Sequence, residues 1–349
     1  MNNLTLQQLG WNAHFQSQLT EQELTLPVAR VFAVHRDALE VRAPGFESRA
    51  TPPLPDDDGT PAATVGDWLL LDDTRKRVHR VLERKSLFQR RRAGTDRGIQ
   101  LLAANVDTLL IATSANNDFN IARLERYLAL ASEAEVTPVI LITKADLVSD
   151  IAPYLEQARR LLPNLVVEAI DARSPEILTL LSPLFSKGQT IALLGSSGVG
   201  KSTIVNTLRG DTLQETRAIR EDDSRGRHTT TGRTMHLLPS GAWLVDTPGM
   251  RELQMVNAES GVQEVFADIV EIAALCKFTN CKHESEPQCA IRAAIEDGTL
   301  DEQRLKRFRK LQREDNRNSE SIAEAHERSQ KFGRMAKRTF IEKLKKREW

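Results

Sequence analysis

The segment GSSGVGKST, at positions 195–203, constrains the fold of this chain more than any other feature of its sequence. It fits the pattern G-x-x-x-x-G-K-[ST], in which backbone N–H groups surround phosphates, the lysine reaches the β- and γ-phosphates, and the hydroxyl binds Mg²⁺. The apolar stretch IALL precedes it and the helical stretch TIVNTLRG follows, so a helix N-terminus should face the anionic phosphates. The sequence therefore predicts a phosphate-binding loop made of Gly195, Ser196, Ser197, Gly198, Val199, Gly200, Lys201, Ser202 and Thr203.

The residues TKAD, at positions 143–146, indicate which nucleotide this loop takes. They follow the apolar strand PVILI, and the Asp146 carboxylate can accept hydrogen bonds from the N1–H and the exocyclic amino group of guanine. Adenine offers no such pair of donors, so the motif predicts GTP rather than ATP. The aliphatic stem of Lys144 would lie along the base, and Thr143 and Ala145 complete the motif.

A further candidate for contact with the base is the pair Asp171 and Ala172, which follows the strand LVVEAI. This pair occupies the place of the Ser-Ala element that normally contacts guanine through its backbone. Asp171 departs from the usual serine.

Residues 246–249, DTPG, follow the strand candidate AWLV and predict a nucleotide-sensitive switch. Asp246 would hold Mg²⁺ through water, and the Gly249 backbone N–H would bond the γ-phosphate. Met250 stands where many GTPases have a catalytic glutamine, and its thioether cannot orient a water molecule. Hydrolysis must therefore recruit another group.

The segment RGRHTTTGR, at positions 225–233, is the candidate source of that group because it lies where the first switch belongs. Thr230, or else Thr229, would close over Mg²⁺, and His228 would position the attacking water. The alternative for His228 is a solvated loop histidine. The predicted Mg²⁺ ligands are Ser202, Thr230 and Asp246, and the predicted catalytic residues are His228 and Lys201.

The order of these motifs is permuted. In the common order the phosphate loop comes first and the base-reading motif comes late, whereas here TKAD precedes GSSGVGKST and DTPG. The same sheet can form if the N- and C-termini of a GTPase with the common order are joined, because permutation is tolerated where termini lie close together. SKGQT, at positions 186–190, would be that join. Alternating strand and helix patterns agree, so we predict a circularly permuted P-loop α/β GTPase domain over 98–257.

The N-terminal part has a different pattern of apolar and turn-forming residues. Residues 1–20 are polar and predict a loosely held arm. Residues 21–97 contain short strand candidates, VARVFAVH, ALEVRAP, ATVGDWLLLDD and RVHRVLERKSL, separated by Gly, Pro and Asp. Such a run predicts a small OB-like β-barrel, and a β-sandwich is the alternative.

All three cysteines lie in CKFTNCKHESEPQC, at positions 276–289. Three thiolates and an imidazole are the ligand set of a closed structural Zn²⁺ site, which leaves no open position for catalysis. A redox pair and unrelated buried cysteines are the alternatives. We predict an α-helical zinc-binding domain with a basic tail over 258–349, with the zinc ligands Cys276, Cys281, His283 and Cys289.

Composition excludes few classes of protein. Lys plus Arg and Asp plus Glu both number 48, so the total charge says nothing about partners. No apolar run approaches the roughly 18–20 residues of a membrane helix, and the N-terminus has neither a basic leader nor an apolar core. We expect a cytoplasmic monomer that does not contact a membrane.

The permuted motifs, the barrel-like region and the cysteine cluster together closely resemble the ribosome small-subunit-dependent GTPase A family. The segments VGDW (65–68), AANVD (103–107) and GRHTTT (226–231) add to the resemblance, which covers nearly the whole chain. It implies an OB-fold, a permuted GTPase domain and a zinc domain. It also implies a role in late maturation of the small (30S) ribosomal subunit, GTPase activity stimulated by that subunit, and a catalytic role for His228.

The resemblance implies GTP, GDP, the small ribosomal subunit and its 16S rRNA as partners. Basic clusters at 84–92, 305–310 and 333–338 suit rRNA phosphates, although solvated helix surfaces are the alternative reading. Asp171 and the long basic tail after about Arg313 depart from the family's pattern.

Two other functions compete with this interpretation. The first is a GTP-dependent RNA-binding module with little turnover, which the missing glutamine favours. The second is an RNA-binding ATPase, which Asp146 argues against.

Overall fold

A mixed eleven-stranded sheet runs through the described part of the chain, which comprises residues 4–54, 62–91, 99–210, 233–246, 253 and 255–319 of a computed structural model. The strands are β1 (Val28–Val34), β2 (Leu39–Ala43), β3 (Phe46–Ala50), β4 (Trp68–Leu71), β5 (Val78–Val81), β6 (Leu87–Arg91), β7 (Ile99–Ala104), β8 (Thr108–Ser114), β9 (Thr137–Thr143), β10 (Val166–Ile170), β11 (Thr190–Gly195), β12 (Arg233–Leu237) and β13 (Trp243–Asp246). The α-helices are α1 (Ala13–Gln16), α2 (Ile121–Glu133), α3 (Ala152–Arg159), α4 (Glu176–Leu181), α5 (Lys201–Arg209), α6 (Glu259–Val265), α7 (Ala267–Ala274), α8 (Ala290–Glu296) and α9 (Glu302–Ser319).

The central part of the chain forms the parallel half of this sheet, in the order β10-β9-β8-β11-β13. Every residue of β8 is buried, and most of β9 and β11 is buried too. Continuous apolar strands of this kind are typical of parallel sheets covered on both faces. The strand that leads into the phosphate loop, β11, is central in the sheet although it comes late in the chain, which confirms the permuted α/β prediction.

The N-terminal strands form a barrel-like unit, in the order β5-β4-β1-β2-β3. A bridge between Thr51 and Arg77 links the ends of β3 and β5, so the strand order closes on itself. Val31, Val41 and Leu69 are buried in its own apolar core. This order favours the predicted OB-like barrel over a sandwich; β3 was not among the predicted strands.

The barrel and the GTPase sheet are hydrogen-bonded to each other. Strand β12 lies between β13 and β1, antiparallel to both. Thr234 faces Asp246 on one side and Ala33 of the barrel on the other. The hairpin of β6 and β7 spans the boundary that we place at 97/98, and it forms a separate two-stranded sheet.

The prediction of a loosely held N-terminal arm is wrong for residues 4–20. Leu9 and Phe15 are each only 1% exposed, and Trp11 packs edge-on against Trp68 with ring centroids 4.9 Å apart. The indole Nε1 of Trp243 donates to Gln8 O at 2.8 Å. Apolar side chains scattered through a polar segment therefore dock it on the barrel, and the Gln8 carbonyl joins it to the GTPase domain.

Arg30, fully buried in β1, joins these parts of the molecule. Its guanidinium donates to Leu9 O at 2.6 Å, to Gly66 O at 3.2 Å, and to Asn105 O at 3.3 Å and Thr190 Oγ1 at 2.7 Å. Burial lowers the Arg30 pKa to about 10, against the opposing charges of Asp107 and Asp67, so the side chain stays cationic at neutral pH. The segments VGDW and AANVD thus supply acceptors that join arm, barrel and GTPase domain.

Arg30→Lys is expected to lower the free energy of unfolding by about 2–3 kcal/mol, because an ammonium cannot reach the acceptors that the guanidinium fork joins. Urea titration followed by fluorescence measures this change. Arg36→Lys, at an exposed arginine in the turn after β1, is the matched control and should change stability by less than about 0.5 kcal/mol. Equal stability of Arg30→Lys and wild type would contradict the role of Arg30 as a junction.

The C-terminal helices are held against α2 by an ion triad whose carboxylate is buried. The Glu125 carboxylate, whose side chain is fully buried, lies 3.1 Å from Arg304 and 2.7 Å from Arg307 of α9. Burial raises the pKa of Glu125, and the two guanidinium groups oppose that rise. At Gly261 a Cβ atom would lie 2.1 Å from Ala129 O, so only glycine allows α6 to approach α2 this closely.

Candidate nucleotide site and metal centre

The predicted nucleotide residues in the described part of the chain gather at one edge of the sheet. Strands β8, β9, β10, β11 and β13 are parallel, so their carboxyl ends meet there. TKAD begins at the last residue of β9, Asp171 follows β10, the phosphate loop begins at the last residue of β11, and Asp246 ends β13. In open α/β sheets the carboxyl edge is where ligands bind.

The phosphate loop has the conformation that its glycines allow. Gly195, Gly198 and Gly200 have positive φ angles of 152°, 80° and 97°. A Cβ atom at Gly195 would lie 2.3 Å from Ala112 O, so this position requires glycine. The Lys201 ammonium donates to Gly195 O at 2.7 Å and to Ser196 O, which places a cation inside the loop at the N-terminus of α5.

Thr143 connects the base-reading motif to the phosphate loop. Its hydroxyl lies 2.6 Å from Val199 O and 3.0 Å from Thr113 O, and the residue is fully buried. Threonine in place of the commoner asparagine therefore has a structural role here. Lys144 has a left-handed conformation with φ of 58°, which turns the chain sharply at the end of β9.

Arg173 brings together the two segments that are predicted to contact the base. Its Nη2 donates to Asp146 Oδ2 at 2.7 Å, and its Nε donates to Asp171 Oδ1 at 3.1 Å. Hydrogen bonds from the Arg173 side chain and backbone lower the pKa of Asp171. Ala172 O accepts a hydrogen bond from Thr207 Oγ1 of α5 at 2.7 Å, so this loop also contacts the helix behind the phosphate loop.

Two arginines at this site were missed by sequence reasoning. Arg123 of α2 donates to Ser196 Oγ of the phosphate loop at 2.5 Å and to Asp118 Oδ1 at 2.8 Å. No motif marks Arg123, because it lies 73 residues from its partner. Arg173 directly follows Asp171 and Ala172, and that adjacency was the available signal.

Oxygen donors suited to Mg²⁺ lie at the same edge. Mg²⁺ prefers hydroxyl, carboxylate and water oxygens. Ser202 is exposed in the first turn of α5, and Asp246 is exposed at the end of β13, beside β11. The other predicted residues, His228, Thr229, Thr230, Gly249 and Met250, lie outside the described residues.

The four predicted metal ligands are brought together. The donor atoms of Cys276, Cys281, His283 and Cys289 all lie within 4.8 Å of one another. His283 Nδ1 is 3.5 Å from the sulfurs of Cys276 and Cys289, and those two sulfurs are 3.9 Å apart. A tetrahedral zinc ion with ordinary bond lengths requires S···N and S···S separations of about 3.6 and 3.8 Å. The group therefore fits a tetrahedral metal ion.

Several basic side chains predicted to contact rRNA also form contacts within the fold. Arg84 pairs at 2.7 Å with the fully buried Asp67, and Lys85 lies 3.2 Å from Asp107. Arg307 pairs with Glu125, and Arg309 donates to the backbone of the metal-binding loop. Cations counted along a sequence do not reveal the acidic partners that the fold supplies. Arg92 and residues 333–338 lie outside the described part.

A phosphate loop, a TKAD carboxylate and a DTPG aspartate at one sheet edge, with the TKAD strand earlier in the chain, define a circularly permuted GTPase. The family model described as RsgA GTPase matches residues 81–256. Small ribosomal subunit biogenesis GTPase RsgA 2 of Vibrio parahaemolyticus is 46% identical over 344 residues, covering 98% of this chain and 95% of that relative. The RsgA protein of Mesorhizobium japonicum is 48% identical over 318 residues, covering 90% and 91%. This chain belongs to the RsgA GTPase family.

Solved structures share the fold. YloQ, described as a circularly permuted GTPase, superposes with a TM-score of 0.58 at 23% identity, covering 87% of this chain and all of YloQ. YjeQ from Thermotoga maritima gives a TM-score of 0.58 at 21% identity, covering 81% and 96%. An ABC transporter model also matches residues 178–346, a range that includes the phosphate loop common to both classes. Among the described residues, no helix is long and apolar enough to cross a membrane.

Proposed function

We propose that this protein is a GTP hydrolase that binds the small ribosomal subunit and acts late in its maturation, with turnover stimulated by that subunit. The observation that carries the proposal is the convergence of the phosphate loop, Asp146 and Asp246 at one sheet edge. The names of the relatives support the link to small-subunit biogenesis.

The nucleotide residues take distinct roles in this proposal. Lys201 and the phosphate-loop backbone bind the phosphates, and Asp146 and Lys144 select guanine, with Asp171 and Ala172 beside them. Ser202, Thr230 and Asp246 hold Mg²⁺, which offsets charge on the phosphates when bound. His228 orients the attacking water, since Met250 cannot. The Gly249 N–H contacts the γ-phosphate.

The metal centre is proposed to be a structural zinc site, because three thiolates and one imidazole suit zinc and leave no open position. The barrel and the C-terminal tail are proposed to contact 16S rRNA. We propose a cytoplasmic monomer with domains over 21–97, 98–257 and 258–349.

Purified small subunits are expected to raise multiple-turnover hydrolysis of GTP by at least about tenfold, because a partner can complete a catalytic site that lacks its own glutamine. Hydrolysis of ATP should stay at background. The assay measures phosphate release with and without subunits at fixed protein concentration.

The same assay separates this function from a GTP-dependent module with little turnover. His228→Ala should reduce the stimulated rate while leaving GDP affinity unchanged. Tight GTP binding with no stimulation by the subunit would contradict the proposed hydrolase and favour the binding module.

A further inference from the structure

The base-reading site holds a second carboxylate whose role no motif explains. Asp146 and Asp171 follow neighbouring parallel strands, and their side chains are 30% and 33% exposed. Both contact the same guanidinium, that of Arg173. Two carboxylates this close repel each other unless a cation lies between them.

The departure at position 171 creates a requirement that Arg173 meets. A serine hydroxyl can donate a hydrogen bond to a neighbouring carboxylate, whereas an ionised aspartate can only accept. Asp171 therefore cannot support Asp146 directly. Arg173 donates to both: Nη2 lies 2.7 Å from Asp146 Oδ2 and 3.3 Å from Asp171 Oδ2.

The Arg173 side chain is held mainly from its Asp171 side. Asp171 Oδ1 accepts from the Arg173 backbone N–H at 3.0 Å and from Nε at 3.1 Å. These contacts fix the start of the side chain and direct its far end to Asp146. A planar fork can bridge two carboxylates in this way, whereas a lysine ammonium is a single point donor.

The arrangement leaves Asp146 able to bind a base. A carboxylate has two oxygens with about four lone-pair positions, and the Arg173 contact to Asp146 uses one oxygen, Oδ2. Guanine needs two acceptors in the plane of the carboxylate. Fixing that plane before the ligand arrives lowers the entropy that binding must lose.

We propose that Arg173 is a positioning residue for guanine recognition, which orients the Asp146 carboxylate and offsets the negative charge that Asp171 brings to the base site. This inference rests on the proposed GTP-binding function. The ion pair of Asp171 and Arg173 takes the place of the hydrogen bond that a serine hydroxyl could donate to Asp146.

Arg173→Ala in the full-length protein is expected to weaken GDP binding about fivefold at low salt, which is the upper range for an exposed pair. Isothermal titration with GDP measures the affinity without hydrolysis. Raising the ionic strength from roughly 0.05 M to 0.5 M should shrink the loss, because salt screens the repulsion between the two carboxylates. The GDP affinity of Arg173→Lys should lie between those of the wild type and Arg173→Ala.

The rescue variant separates positioning from a merely structural role. Asp171→Ser combined with Arg173→Ala removes the repelling charge and supplies a donor, so GDP affinity should return to within about twofold of wild type. A general defect in loop folding would not be rescued in this way. Arg160→Ala, which breaks an exposed pair with Glu156 on α3, is the matched control and should leave GDP affinity unchanged.

Two failures are distinguishable. Wild type that binds ADP as well as GDP overturns the proposed GTP-specific function itself. Wild type that prefers GDP, with Arg173→Ala unchanged or tighter, or with no rescue by Asp171→Ser, overturns the role of Arg173 alone.

Discussion

Alanine in place of Lys201 is expected to lower the rate of GTP hydrolysis by at least about a thousandfold, because phosphoryl transfer depends on cations placed around the β- and γ-phosphates. The lysine is only 9% exposed and lies inside the phosphate loop, where its ammonium now contacts two backbone carbonyls. Phosphate oxygens would replace those carbonyls as acceptors when nucleotide enters. Single-turnover hydrolysis in the presence of small subunits gives the rate.

Lys187→Ala is the control for this experiment. Lys187 is exposed in the segment before β11, outside the phosphate loop, and its removal should leave hydrolysis unchanged. Thermal unfolding of both variants shows whether the fold survives. Hydrolysis by Lys201→Ala within about tenfold of wild type, at saturating GTP, would contradict the placement of Lys201 on the phosphates.

Loss of the proposed zinc ion is expected to unfold the region around α8. Cys289→Ser should abolish stoichiometric zinc and expose this region to trypsin, because apparent zinc binding in small domains contributes about 10–16 kcal/mol to folding. Cys289 precedes α8 directly, is 6% exposed, and belongs to the apolar core. Elemental analysis and limited proteolysis measure the two effects.

Glu284→Gln serves as the matched variant, since Glu284 is exposed in the same loop and is not among the four donor residues. It should keep full zinc and normal resistance to trypsin. A protein stripped by a chelator that remains as protease-resistant as the zinc-loaded form would show that the four residues do not form a structural metal site.

Sequence reasoning identified the features whose signal is local. The phosphate loop, TKAD and the cysteine cluster are short segments whose chemistry and neighbouring strands are visible in a few residues. Their gathering at one edge of the sheet follows from parallel topology. The order of the motifs along the chain was sufficient to predict the permutation.

Contacts between distant segments were not predictable in the same way. In the sequence Arg30 is one residue of a predicted strand and carries no other signal. Its side chain nevertheless donates a hydrogen bond to Thr190, 160 residues away. The arm looked loose because Leu9, Trp11 and Phe15 are scattered among polar residues. Arg84 was predicted to contact RNA from its basic neighbours alone, and the sequence does not reveal that it pairs with Asp67, just before β4. These contacts depend on partners that only the tertiary fold supplies.

The position of β12 has a mechanical consequence. Because Thr234 pairs with Asp246 on one side and with Ala33 on the other, the barrel begins two strands, or about 10 Å, from the proposed Mg²⁺ carboxylate. Among the described residues, β12 is hydrogen-bonded directly to both neighbouring strands. A shift of β12 on nucleotide binding would therefore move the barrel as well. By thermodynamic reciprocity, a partner that moves the barrel in the same direction would raise the affinity of the nucleotide site.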